Sequence, residues 1–398
     1  MLSGVNVALG VTGSIAAVKV VELAHELRRR GASVRAVMTE SARGILHPWA
    51  VEFATGNPVV TEITGRVEHV ELCGRDGWAD VFLLAPATAN TVGKIAAAVD
   101  DTPVTTTATT ALGAGVPVVV APAMHEPMYD HPGVLDAIDR VESWGVSFVD
   151  PRIEEGKAKI ATEDAIALEV ARATSPDPFA GANVVVTSGA TAEPIDPVRV
   201  LTNRSSGNTG RAVARACYVL GADVTLVHGV VGPHSVGRGD AAADEVPYAE
   251  LVDVETAEEM LDAVLDRASA GAADALVSVA AVGDYTVEAA DEKIRSGQDL
   301  SLDLTPTPKL IDRVREVSDV PIVGFKAETS GDDEAMVARA RETLRRADLS
   351  FVVANDAGVM GENRTRALFV RENTVREHTG TKAELGRRVA ESLAAELD

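Results

Sequence analysis

The chain has 398 residues, 46% of them hydrophobic and 24% charged, and a formal net charge of −23; this leaves room for two or three globular domains and disfavours nucleic acid or an anionic membrane as partner. No apolar run approaches the roughly 18–20 residues of a membrane span, the first residues carry no basic leader, and Cys73 and Cys217 alone cannot build a disulfide framework, so a reducing cytoplasmic setting with small-molecule partners is expected. The acidity is dispersed and reads as a solvated surface; with only eight lysines among 37 basic residues, it also matches a surface adapted to a salt-rich cytoplasm.

The first stretch reads NVALGVTGSIAAVKVVELAHELRRRGASVRAVMT. An apolar run over 5–11 meets Thr-Gly-Ser. A helix pattern with Val18, Val21, Leu23, Ala24 and Leu27 apolar ends at Gly31, and a second apolar run covers 34–38. That predicts β-α-β. Gly10, Gly13 and Ser14 at the first strand's exit let backbone approach an anion at a helix start. The stretch is not G-x-G-x-x-G, and no acidic side chain is placed after the next strand to hook a ribose; Thr39, between Met38 and Glu40, is the nearest candidate there.

Strand ADVFLLA (79–85) runs into APATANTVGKIA, where Pro86, Thr88 and Asn90 offer a rigid turn, a hydroxyl and an amide at a helix start. N-capping accounts for one of them, not the set. TTTATT (105–110) follows, opening with Thr105 and Thr106, and then strand VPVVVAPA (116–123) leads into PAMHEPMY (122–129). Together these junctions form a polar cradle without cations. It suits a flavin mononucleotide, with the phosphate on amides and hydroxyls and the ring on Ala123 and Met124.

Residues 173–180, ATSPDPFA, read as a linker between a domain at 1–172 and one at 181–398. The pattern restarts with ANVVVTSG (182–189), a helix over 208–220 and ADVTLVHG (222–229), with further strands at 274–281, 320–327 and 349–356. The expected fold class is α/β, two doubly wound, mostly parallel-sheet, Rossmann-like domains, with ligands beyond the carboxyl ends of the strands. The connection IDPVRVLTNRSSGNTG (195–210) is far longer than the roughly 2–6 residues an α/β unit needs. It is rich in hydrogen-bond donors, as functional loops are.

GSIAA, HVEL (69–72), APATAN with GKIA, and PAM followed by Met occur here in the order found in the flavin-dependent cysteine decarboxylase family. The first half resembles that family over nearly its whole length. The resemblance implies FMN as cofactor, His69 as catalytic acid/base and trimeric contacts. Bacterial members place Asn on the substrate carboxylate where this chain has His125, and a protonated His can make the same pairing. They also carry a Cys in a flap. The matching stretch, EEGKAKIATED (154–164), has none, and its Lys157 and Lys159 are candidates to clamp the substrate's phosphate or carboxylate. Cys73, close behind His69, reads as a small buried residue.

TSGATAEPIDPVR and the loop that continues it resemble phosphopantothenate–cysteine ligases. AAVGDY (280–285), EKI (292–294), GFKAET (324–329) and ANDAG (354–358) follow in that family's order. A ligase of this kind behind such a decarboxylase is the bifunctional arrangement that makes 4′-phosphopantetheine for coenzyme A. It implies CTP as co-substrate, Mg²⁺ and dimeric contacts. Ser205, Ser206, Gly207 and Gly210 offer hydroxyls, close backbone approach and a helix start to phosphates; by the resemblance Arg199 and Asn203 meet the acyl-nucleotide, and Lys293 is the cation at the α-phosphate. Asp284 serves the ribose or base side or Mg²⁺, Ala280 and Ala281 face the base, and Phe325 and Lys326 belong to the nucleotide pocket. Three other readings stay open. HVEL and the attached second half argue against a flavin-fold prenyltransferase. Retained His69, Arg199, Asn203 and Lys293 argue against a regulatory flavin-fold subunit, and the missing G-x-G-x-x-G argues against an NAD dehydrogenase.

Overall fold

A computed structural model describes the whole chain except residues 155–156, 231–245, 270, 298, 329–331, 357–363 and 398. It divides into two units, Met1–Pro176 and Asp177–Asp398. Within the stretch read as a linker, Phe179 is 1% exposed. Its N–H donates to the Leu220 carbonyl at 3.1 Å, so the end of that stretch is packed into the second unit.

The first unit is built on five parallel strands: β1 (Asn6–Val11), β2 (Ser33–Met38), β3 (Val81–Ala87), β4 (Val118–Pro122) and, after β5 (Met124–His125), β6 (Ser147–Phe148). Their order is β2-β1-β3-β4-β6. β3 and β4 are buried along their whole length, as continuous apolar strands covered on both faces are. Helix Val20–Arg29 buries Val20, Leu23, Ala24 and Leu27, the i, i+3, i+4, i+7 stripe of a helix facing a sheet. The chain leaves β1 toward β2 on one side, and β3 lies on the other. The crevice between these two connections is the switch point where parallel sheets bind ligands. A small antiparallel sheet stands apart, order β5-β8-β7, from β7 (Arg152–Glu154) and β8 (Lys157–Lys159).

The second unit holds β9 (Asn183–Gly189), β12 (Asp223–Gly229), β13 (Glu250–Val254), β14 (Ala275–Ser278), β17 (Ile322–Glu328), β18 (Phe351–Asp356), β19 (Arg364–Val370) and β20 (Val375–Thr381) in one sheet. Its order is β13-β12-β9-β14-β17-β18-β19-β20. The first six are parallel, in the order of a dinucleotide-binding Rossmann sheet. β19 and β20 add an antiparallel extension. The switch point lies between β9 and β14. Two hairpins stand outside the sheet, β10 (Ala192–Asp196) with β11 (Arg199–Thr202) and β15 (Tyr285–Val287) with β16 (Leu304–Pro306). Val185, Val227, Leu276, Ile322 and Val352 on the strands pack with Met260, Val264 and Leu344 on the helices to form the core.

Candidate functional sites

At the carboxyl edge of the first sheet four connections meet. The Thr12 hydroxyl donates to the Pro86 carbonyl at 2.7 Å and accepts the Thr88 N–H at 3.2 Å, tying the exit of β1 to that of β3. The Ser14 hydroxyl donates to the Ala123 carbonyl at 3.0 Å, tying it to the exit of β4. Thr39, after β2, accepts the Ala42 N–H at 3.2 Å and lies 3.0 Å from the Ser41 hydroxyl. A methyl group on Gly13 would stand 2.5 Å from that Ser41 oxygen, so only glycine permits the loop to close on it. Thr88 caps helix Ala89–Ala96, and Asn90 is exposed in its first turn.

This cradle of hydroxyls and backbone N–H groups, without a cation, fits the phosphate of a flavin mononucleotide. Nδ1 of His69 is buried and has no hydrogen-bond partner among the described residues, although such atoms are nearly always paired. It is an atom that a ligand would satisfy. Met124 and His125 register with Ala158 and Lys157 of β8, which sets the flap hairpin beside the Pro-Ala-Met-His stretch. His125 is exposed and Lys159 half-buried; the Lys157 side chain lies outside the described residues.

Two hydroxyls expected at the flavin find other partners. Thr105 exchanges both bonds of a capping box with Thr102, and the Thr106 hydroxyl donates to the Asp100 carbonyl at 3.0 Å. Helix Pro103–Ala114 uses these hydroxyls itself. Cys73 is buried, and burial pushes its thiol up to about 12, which keeps it protonated and inert.

In the second unit a cavity of about 900 Å³ opens at the switch point, lined by 204–210, 278–282, Asp284, 309–311, 325–327, Arg346, Asn355, Thr365 and Lys382. Its size is that of a ligand pocket. Its floor is the long polar loop. The buried Ser188 hydroxyl donates to the Gly207 carbonyl at 2.9 Å, and Gly207, at φ +70, starts helix Asn208–Val219. A methyl group on Gly207 would stand 2.8 Å from Cε1 of His228, and one on Gly210 2.6 Å from Cβ of Ser188. Arg211 donates to the Ser206 carbonyl at 3.1 Å and to Oδ1 of Asn208 at 2.8 Å, holding the loop from outside. His228 is 5% exposed, and its Nδ1 has no partner among the described residues. Burial first, and Arg211 second, push this histidine down to about 4.

The opposite wall is the exit of β14. Buried Thr187 accepts the N–H groups of Val279 and Ala280, both at 3.1 Å, and Ala281 donates to the Gly189 carbonyl at 2.9 Å. Asn203 donates to the Ala281 carbonyl at 2.5 Å. Asn203 therefore links the two walls. Phe325 and Lys326 line the cavity from β17, and Lys326 donates to the Thr343 hydroxyl at 3.3 Å. Asp284 is paired with Lys309 at 2.6 Å.

Arg199 and Lys293 are not among the lining residues. The Arg199 guanidinium donates to the Ile294 carbonyl and pairs with Asp196 at 3.0 Å. Lys293, next to Ile294, is exposed. Lys309, Thr365 and Lys382 line the cavity outside every motif, Asn355 lines it from within ANDAG, and Ser188 and His228 lie against its floor at Gly207. One signal was available. Of eight lysines in the chain, three, Lys309, Lys326 and Lys382, line this one cavity.

Residues 1–175 match the flavoprotein family model, and residues 179–397 match that of the DNA/pantothenate metabolism flavoprotein C-terminal domain. The chain is 46% identical over 398 residues to the Coenzyme A biosynthesis bifunctional protein CoaBC of Thermococcus kodakarensis, covering 98% of this chain and 95% of that one. It is 33% identical over 400 residues to the protein of the same name from Methanocaldococcus jannaschii, covering 99% and 94%. Among solved structures it is similar to the C-terminal domain of a CoaBC protein, at 28% identity and TM-score 0.45, covering 56% of this chain and 98% of that one. It is also similar to the FMN-dependent cysteine decarboxylase SpaF, at 32% identity and TM-score 0.39, covering 44% and 100%.

Proposed function

The chain belongs to the family of coenzyme A biosynthesis bifunctional proteins, a flavoprotein half followed by a pantothenate-metabolism half, and from that premise we propose that it joins 4′-phosphopantothenate to cysteine with CTP and then decarboxylates the product to 4′-phosphopantetheine with FMN. The enzyme is a decarboxylase and a ligase acting on small molecules. The observation that carries the ligase reading is the cavity between β9 and β14, floored by a glycine-rich loop and lined with cations.

In the first reaction the pantothenate carboxylate attacks the α-phosphorus of CTP. The new acyl–phosphate bond forms as the bridging P–O bond to pyrophosphate breaks. Cysteine's amine then attacks the acyl carbon and CMP leaves. Gly207, Ser205 and Ser206 offer backbone N–H groups and hydroxyls to the phosphates at a helix start. Asn203, bonded to the β14 exit, stands where the acyl-cytidylate spans both walls. Lys293 supplies charge as it builds on the α-phosphate, and Arg199 holds the backbone beside it. Asp284 and the Ala280–Ala281 backbone face the base and ribose, and Phe325 and Lys326 close the nucleotide pocket. Mg²⁺ enters this reading as the ion that accompanies the nucleotide's phosphates. Among the described residues no group of three His, Cys, Asp or Glu forms a metal site, and Asp284 has Lys309 as its partner.

In the second reaction Gly13, Ser14, Thr39, Thr88 and Asn90 would hold the phosphate side of FMN, with Pro86, Ala123 and Met124 against its ring. The bound flavin would supply a reversible acceptor for the electron pair of the thiol-bearing carbon. His69 moves the proton at its unpartnered Nδ1, and His125 with Lys157 and Lys159 of the flap holds the substrate's anionic groups. In this reading the protein acts in the cytoplasm as a homo-oligomer with trimeric decarboxylase and dimeric ligase contacts. Exposed Ile15, Trp49 and Phe53 in the first unit offer apolar surface for such contacts.

The test is incubation of the purified protein with 4′-phosphopantothenate, cysteine, CTP and Mg²⁺. Pyrophosphate, carbon dioxide and 4′-phosphopantetheine are expected. A protein that releases no pyrophosphate is not this ligase.

A further inference from the structure

Helix Lys382–Ala394 follows the antiparallel extension and is far in sequence from every ligase motif. It packs backbone to backbone on helix Asn208–Val219. A methyl group on Gly386 would stand 2.4 Å from the Ala212 carbonyl oxygen and 2.9 Å from the Val213 nitrogen. Lys382 precedes Gly386 by four residues and Asn208 precedes Ala212 by four. On each helix the earlier residue therefore lies on the same face, about 6 Å toward the N-terminus. Lys382 and Asn208 both line the cavity. The two helices thus begin side by side, and Lys382 stands next to the end of the glycine-rich loop rather than at the β14 wall.

Of the other cations of the cavity, Arg204 is exposed on the loop itself, and the remaining three are engaged. Lys309 is paired with Asp284 at 2.6 Å, Arg346 with Asp312, and Lys326 donates to Thr343 at 3.3 Å. Lys382 is half-buried and has no hydrogen bond or ion pair among the described residues. A nucleoside triphosphate carries several negative charges to this loop, and a partly desolvated ammonium is strongly attracted to them.

We propose that Lys382 is a polyphosphate ligand of the ligase site: it meets the nucleotide's outer phosphates beside Asn208 and holds them as pyrophosphate departs. Only the bridging P–O bond breaks in that step and no proton moves, so the lysine acts as a fixed charge. This rests on the CTP reading above and adds a residue from outside the parallel sheet to it.

Calorimetric titration of the full-length protein with CTP and with CMP tests it, using wild type, Lys382→Met and Lys382→Arg. Lys382→Met is expected to weaken CTP about tenfold or more and leave CMP unchanged, and Lys382→Arg is expected to recover most of the loss. Unchanged CTP affinity in Lys382→Met overturns the proposal. Equal losses for CTP and CMP also overturn it, because they assign the residue to helix packing. A wild-type chain that binds neither nucleotide overturns the CTP reading itself, which is a different outcome from either variant result.

Discussion

Oδ2 of Asp196 accepts the backbone N–H of Ile294 at 3.1 Å, joining the β10–β11 hairpin to the segment that carries Lys293. Oδ1 of the same carboxylate accepts the N–H groups of Val198 and Arg199, both at 2.9 Å, and Arg199 completes the clamp on the Ile294 carbonyl. Burial alone would raise the Asp196 carboxyl, but these three N–H donors and Arg199 hold it below the usual carboxylate range. On the proposed role of Lys293, Asp196 is its positioning residue, acting through Ile294. Asp196→Ala is expected to lower ligase turnover roughly a hundredfold, the scale of a misplaced catalytic group, with CTP affinity nearly kept. An equal loss of CTP affinity, measured by titration, would show that the clamp supports the cavity as a whole.

Gly207 is a left-handed, tightly enclosed turn of the glycine-rich loop. Its φ of +70 costs an L-residue about 1–2 kcal/mol, and an added methyl group would stand 2.8 Å from His228 and 2.9 Å from the Ser188 hydroxyl. Gly207→Ala is expected to abolish pyrophosphate release while leaving decarboxylation of supplied 4′-phosphopantothenoylcysteine intact. Loss of both activities in this variant would contradict separate sites in the two units.

Sequence pattern carried the strand–helix alternation, the parallel sheets and the placement of Gly13, Thr88 and Ser205 at strand exits, because apolar runs and glycine turns are local signals. Lys382 and His228 were not legible. Their roles come from pairings between segments far apart in the chain, through Gly386 on Ala212 and through His228 under Gly207. The partners of Arg199 are illegible for a related reason. A loop arginine reads as a ligand contact until the buried Asp196 and the Ile294 carbonyl are seen to occupy it. A run of threonines such as Thr105 and Thr106 reads as donors to a ligand, yet a helix start beginning Thr-Pro satisfies itself with such hydroxyls.

His69 and Cys73 lie four residues apart at helix Glu68–Cys73 and are expected to behave oppositely. His69 has a buried, unpartnered Nδ1, whereas Cys73 is fully buried with its thiol pushed up to about 12. His69→Asn is expected to slow carbon dioxide release by about a hundredfold or more, the usual scale for a lost acid/base, so that 4′-phosphopantothenoylcysteine accumulates. Cys73→Ala is expected to cost about 1–2 kcal/mol of stability through the cavity it leaves and to leave the decarboxylation rate unchanged. A large rate loss in Cys73→Ala would give this thiol the task of the missing flap cysteine.

The buried His228 makes the second unit sensitive to acid. Its ordinary value is 6.5, and in the folded protein it is pushed down to about 4, by burial first and by Arg211 second. Between these two values the unfolded chain binds a proton that the folded chain refuses, so stability rises with pH across the window. Acidification from pH 6.5 toward 4 should therefore remove stability progressively, on the order of 3 kcal/mol from this one group. His228→Gln keeps a polar side chain of similar reach without the titration. It is expected to flatten the dependence of the second unit's thermal midpoint on pH over that interval while leaving the region above pH 7 parallel to wild type. Identical slopes for variant and wild type between pH 4 and 6.5 would mean that the ring gains a proton partner in solution.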